Sequence, residues 1–138
     1  MNIECELKKD GERHAALLST LGNAHKIELD SKEGGAGCRA NGGELLCLSI
    51  ASCFCNDIYR ESVSFGIEVE SVRVKVTAEF GGVGEAAKSI SYIPSVEARA
   101  SEAEIEALIT HTDKVAEIHN TLRQGMPVIL TGCHAISM

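Results

Sequence analysis

The chain has 138 residues, is 44% hydrophobic and carries a formal charge of −7, from 13 basic and 20 acidic residues. That length suits one domain over residues 1–138 that buries its core without metals or disulfides. The acidic balance, with no run of Lys or Arg, excludes a nucleic-acid partner, and no apolar run is long enough to span a bilayer, so no membrane partner is expected.

The start, Met1 to Glu6, has no secretory pattern, and a cytoplasmic location is expected. Ile3, Cys5 and Leu7 alternate with charged residues, as in a half-buried strand. Lys9-Asp10-Gly11 turns the chain into a second strand over 15–20. Leu21-Gly22-Asn23 turns it again into a third over 26–30. Five glycines follow between positions 31 and 43. Such a loop lets backbone approach something closely, or it only connects.

Asn41 and Glu44 have capping-box spacing and open a helix. From Leu45 to Cys55 the only polar side chains are Ser49 and Ser52. A helix apolar on all sides is expected to be buried on all sides. Either it runs through the middle of the domain or a second copy of the chain covers its other face. It turns polar at Asn56, Asp57, Arg60 and Glu61, and Gly66 stops it. Val72, Val74, Val76, Ala78 and Phe80 then alternate with polar residues, which predicts a strand with one wet face. Another strand spans 89–99, with Pro94 pointing to an edge or bulge. Ser101 and Glu104 repeat the capping box before an amphipathic helix that continues, or restarts after a kink, to Leu122. Gly125 ends it, and a last strand is predicted over 127–131. Strands, helix, strands, helix and strand make an α+β order.

Six cysteines stand at 5, 38, 47, 53, 55 and 133, three of them within nine residues of one predicted helix. Chain geometry argues against a disulfide framework among those three, and without an export signal reduced thiols are expected. Cys53 sits in the apolar helix. By default such a residue packs as a small apolar group. To act as a nucleophile it needs a cation or hydrogen-bond donors, because burial alone raises its pKa. It lies about three turns into the helix, beyond the reach of the helix-start potential, so an arginine from elsewhere must help. Glu44 is either the capping carboxylate or one that orients an arginine or substrate. Nine residues separate it from Cys53, which at about 100° per residue sets the two on roughly opposite faces. The five histidines have no metal-ligand spacing, and Cys53-Phe54-Cys55 on a helix diverges by about 200°. No metal or cofactor is expected.

Gly34-Gly35-Ala36-Gly37, then Asn41, Glu44-Leu45-Leu46 and Ala51-Ser52-Cys53-Phe54, resemble the OsmC/Ohr family. Gly66-Ile67-Glu68-Val69-Glu70-Ser71-Val72 and His119-Asn120-Thr121-Leu122-Arg123-Gln124-Gly125-Met126-Pro127-Val128 extend the resemblance along the chain. It implies an OsmC-like α+β fold, an intertwined homodimer with long central helices and antiparallel sheets around them. It also implies thiol-dependent reduction of hydroperoxides in stress defence. In that scheme Cys53 is the peroxidatic cysteine, Arg13 the guanidinium that lowers its pKa, and Glu44 the carboxylate that holds the arginine; Arg39 competes with Arg13. The active site forms between subunits, and a small-molecule hydroperoxide and an external thiol are the implied partners.

The chain departs from the family at the resolving cysteine, where Ala116 stands. Cys38 on the glycine loop, or an external thiol, would have to resolve the sulfenic acid. Glu44 also matches loosely, since Gly42 and Gly43 stand where one branch has Pro and Glu. Two functions therefore stand side by side. One is a one-cysteine peroxide-reducing enzyme. The other is a non-catalytic dimer of the same fold that binds a small apolar or electrophilic ligand.

Overall fold

A computed structural model describes residues 1–138. The elements run β1 (Ile3–Asp10), β2 (Arg13–Thr20), β3 (Asn23–Asp30), α1 (Gly42–Phe65), β4 (Glu68–Phe80), β5 (Ala87–Arg99), α2 (Glu102–Val115) and α3 (Glu117–Arg123). They form two compact units, residues 1–46 and 47–138.

The first unit is an antiparallel meander in the order β1-β2-β3. Its second turn, Leu21-Gly22, has positive φ at both residues (51° and 82°), as a two-residue hairpin turn matched to strand twist requires. β2 buries His14, Ala15 and Ala16. β1, expected to be half-buried, is exposed along its whole length. It is an edge strand, and its apolar face has no layer of its own unit to pack on. The glycine loop is tied off: Ser31 bridges Cys38, the Lys32 N–H donates to the Gly37 carbonyl (2.9 Å), and the Arg39 N–H donates to the Asp30 carbonyl (2.8 Å). The capping box opening α1 is present in both directions. The Glu44 N–H donates to Asn41 Oδ1 (2.8 Å) and the Asn41 N–H to Glu44 Oε1 (3.0 Å).

The second unit holds the apolar core of Phe54, Ile58, Ile67 and Leu108. Val69, Val72 and Val74 of β4, Tyr92, Val96 and Ala98 of β5, and Ile109 of α2 pack against it. β4 and β5 pair antiparallel as a two-stranded ribbon. A register shift between Val69 and Ser71 lets Val69 and Val72 face the core despite their odd spacing. Pro94 is tolerated because both strands of the ribbon are edges. α1 ends at Gly66 (φ 64°), where the Ile67 N–H reaches the Ser62 carbonyl and the Gly66 N–H the Val63 carbonyl; this is a Schellman closure. The second capping box holds α2 at Ser101 and Glu104, and the chain restarts as α3 after Ala116.

Two expectations change here. α1 buries one face only: Ile50, Phe54, Asp57, Ile58 and Ser62. A second apolar stripe, with Leu48 60% and Val63 81% exposed, is open to solvent on the single chain. The predicted last strand over 127–131 is absent. Its apolar alternation is real, but a strand needs a partner edge, and neither sheet adds it; Val128 is fully exposed. No helix is long and apolar enough to cross a membrane.

Candidate functional site

In the first unit the start of β2 puts Arg13 directly opposite Asp30 of β3. Arg13 pairs with Asp30 (2.8 Å) and with Glu28 (3.1 Å). Arg13, Arg39 and Glu44 line one open cavity of about 460 Å³ with Glu28 and Asp30. Both candidate arginines and the candidate glutamate therefore share one cavity. The carboxylate of Glu44 is engaged by the Asn41 N–H, and the carboxylates that hold Arg13 are Glu28 and Asp30.

In the second unit Cys53 is half-buried on α1. Its partners come from one turn further along α1 and from the first turn of α3. The thiol lies 3.5 Å from Asp57 Oδ2 and 3.9 Å from Glu117 Oε2. Asp57 falls on the core-facing side of α1 and is only 5% exposed. Arg60 reaches both carboxylates through one nitrogen: Nη1 lies 3.1 Å from Asp57 Oδ1 and 3.0 Å from Glu117 Oε1. The clamp therefore takes one oxygen of each carboxylate and leaves the other beside sulfur. Arg60 also touches Glu61 (3.4 Å), which lies 3.6 Å from His111 Nε2 of α2.

The electrostatics follow from this arrangement. Burial pushes the Cys53 thiol up; a backbone hydrogen bond from Ile118 works against the rise, and Asp57 and Glu117 add to it. Burial, and then the neighbouring Glu117, push the Asp57 carboxyl up. Glu117 is held below the usual range, first by its own backbone N–H and then by Asp57 and Arg60.

Cys53, Asp57 and Glu117 also present ligand atoms within 4.8 Å of one another, close enough to share a cation. Arg60 already pairs with both carboxylates there. Sequence spacing missed this set because Glu117 lies 64 positions from Cys53. The Asp57 contact is legible, since positions i and i+4 adjoin on a helix, but Asn56, Asp57, Arg60 and Glu61 together read as a solvated helix end.

A small cavity of about 150 Å³ lies between Ile50, Ile90, Tyr92, His119, Leu122 and Arg123. His119 is 5% exposed, and both of its ring nitrogens are buried without a hydrogen-bond partner. It packs edge-on to Tyr92 (4.7 Å between centroids) and against Phe54 (5.9 Å). Burial and the Arg123 guanidinium hold its pKa down. Beside it, Tyr92 donates to Asp113, and Arg123 pairs with Asp113 at 2.8 Å.

The sequence profile of the family described as OsmC-like protein matches residues 34–131. No curated protein matches the chain in sequence. The chain is similar in structure to an OsmC-like protein from Mycoplasma pneumoniae, with 21% identity over 90% of this chain and 86% of that one and a TM-score of 0.66. It is similar to an organic hydroperoxide resistance protein from Elizabethkingia anophelis, with 17% identity over 91% and 90% and a TM-score of 0.62. It is also similar to an organic hydroperoxide resistance protein from Legionella pneumophila, with 18% identity over 89% and 90% and a TM-score of 0.53. At these identities the likeness is one of fold.

Proposed function

The chain belongs to the OsmC-like protein family, and from that premise we propose that it reduces hydroperoxides through Cys53. One observation carries the proposal. Of six free cysteines, Cys53 is the one whose sulfur meets hydrogen-bonding side chains at the edge of a packed core. Reactive thiols are partly open to solvent, whereas fully buried packing thiols are inert; the cation that a thiolate needs is, in this proposal, Arg13. The sulfur attacks the peroxide oxygen and becomes a sulfenic acid. Ala116 offers no resolving thiol, so an external thiol returns Cys53 to its reduced form.

In this proposal Arg13 keeps the role that the family resemblance implies, charge for the thiol, and Glu28 and Asp30 hold that arginine, with Glu44 lining the same cavity. The protein acts as a homodimer in the cytoplasm. The exposed stripe of α1 at Leu48, Tyr59 and Val63 supports the dimer, because a monomer leaves it wet. Free thiols suit a reducing compartment.

Thiol-coupled consumption of cumene hydroperoxide is the test. Cys53→Ser is expected to abolish turnover, and Arg13→Ala to lower it about 10-fold or more while raising the thiol pKa. Turnover that survives Cys53→Ser rejects the proposal.

A second function has its own support. The raised Cys53 thiol and the small cavity at His119 suit a non-catalytic dimer that holds a compact apolar ligand. A cavity of that order accepts a molecule about the size of benzene, here against Ile50, Ile90 and Leu122 with His119 and Arg123 at its polar side.

A further inference from the structure

His119 poses a problem of packing. It is 5% exposed, and neither ring nitrogen has a hydrogen-bond partner. A buried polar group without a partner costs stability, so one that persists in a folded chain calls for an explanation. The polar neighbours are already engaged. The Tyr92 hydroxyl donates to Asp113. The Arg123 guanidinium donates to the Asp113 carboxylate (2.8 Å), the Asp113 carbonyl (3.0 Å) and Asn120 Oδ1 (3.1 Å). Phe54 offers only an apolar ring. What remains beside the imidazole is the cavity of about 150 Å³ that it lines with Ile50, Ile90, Tyr92, Leu122 and Arg123.

We propose that this cavity binds a compact, uncharged hydroxyl compound about the size of phenol, its apolar body against Ile50, Ile90 and Leu122 and its hydroxyl on a ring nitrogen of His119. This rests on the ligand-holding function given second above and not on peroxide turnover. It adds the polar group by which a ligand is told from plain hydrocarbon. Cys53 does not line the cavity. All six residues that do belong to the unit of residues 47–138, so the walls come from one chain.

Size, charge and donor pattern each narrow the ligand. A space of that volume takes one benzene-sized ring. Burial, and then Arg123, keep the imidazole neutral above its ordinary range. Arg123 spends its own charge on Asp113. The cavity therefore has no unpaired charge to meet a charged ligand. A neutral imidazole has one nitrogen that donates and one that accepts. A hydroxyl does both, so it suits whichever nitrogen it meets. The packed rings shield both nitrogens, and a turn of the imidazole about its Cβ–Cγ bond brings one to the hydroxyl. Ile90 and Leu122 are partly exposed and give the ligand its way in.

The experiment titrates the full-length protein with phenol and with benzene at pH 7.5, where phenol and His119 are both neutral. Phenol is expected to bind about 10-fold tighter, the worth of one good hydrogen bond. His119→Phe keeps an aromatic ring against Tyr92 and Phe54 but has no nitrogen; benzene still binds it, and the preference for phenol disappears. A second readout needs no variant. With nitrogen-15 in the histidines, phenol shifts a ring-nitrogen resonance of His119 in the direction of hydrogen bonding, and benzene does not. If the two compounds bind alike in the wild type, or His119→Phe keeps the preference, the cavity holds a ligand that His119 does not read, and the proposal is overturned. If the His119 nitrogens are hydrogen-bonded before phenol is added and phenol leaves them unmoved, an ordered water or the second copy satisfies them, and the proposal is again overturned. If neither compound binds, the ligand-holding function itself fails and this proposal with it.

Discussion

At the scale of residues, the second unit places ionisable groups where burial sets their behaviour. His119 shows this without reference to catalysis. Its ring is enclosed and its pKa depressed, first by burial and then by Arg123. The unfolded chain protonates it near pH 6.5, whereas the folded chain resists until lower pH. Its contribution to stability is therefore full above about pH 6.5 and is lost as pH falls through the folded value. Urea unfolding is expected to give a lower stability at pH 5.5 than at pH 7.5, and His119→Leu to flatten that difference. An unchanged pH dependence in His119→Leu would contradict the account of this side chain. Both capping boxes are legible in the sequence and present in the structure, while Cys53, Arg13 and Glu44 are candidates that the sequence names through its family resemblance. Asp57 and Glu117 were not read as functional. A carboxylate on a polar helix end looks solvated until packing turns it inward, and Glu117 meets Cys53 only through tertiary structure.

At the scale of elements, periodicity and punctuation locate every helix and every strand and add one strand that does not form. The alternation in β4, the Pro94 position in β5 and the stop at Gly66 all correspond to observed features. The exception is residues 127–131, where a strand-like pattern finds no partner edge. Strand pairing is non-local, so a pattern alone cannot supply the second strand. Gly66 offers a test of local design. Its φ of 64° is left-handed, and a Cβ there would meet no neighbouring atom within 4 Å. Gly66→Ala is thus expected to cost about 1 kcal/mol from backbone strain alone, read as a lower urea midpoint at unchanged m-value. A loss above about 3 kcal/mol would point to a clash that this geometry lacks.

At the scale of the whole molecule, the unusual feature is an apolar helix that one chain covers on one side. Leu48, Tyr59 and Val63 form a stripe roughly opposite Phe54 and Ile58 at about 100° per residue. The sequence announced this helix by its lack of a polar face, and the single chain satisfies half of that pattern. If a second copy covers the other half, the protein sediments as a dimer at micromolar concentration, and Val63→Arg shifts it toward monomer. A wild-type monomer under those conditions would contradict the dimer. The central claim is chemical, and one measurement reaches it directly: trapping with dimedone after one equivalent of cumene hydroperoxide, with the adduct located by mass spectrometry. The account predicts a sulfenic-acid adduct on Cys53 and none there in Cys53→Ser. An adduct confined to Cys5, Cys38, Cys47, Cys55 or Cys133, or no adduct at all, would contradict it.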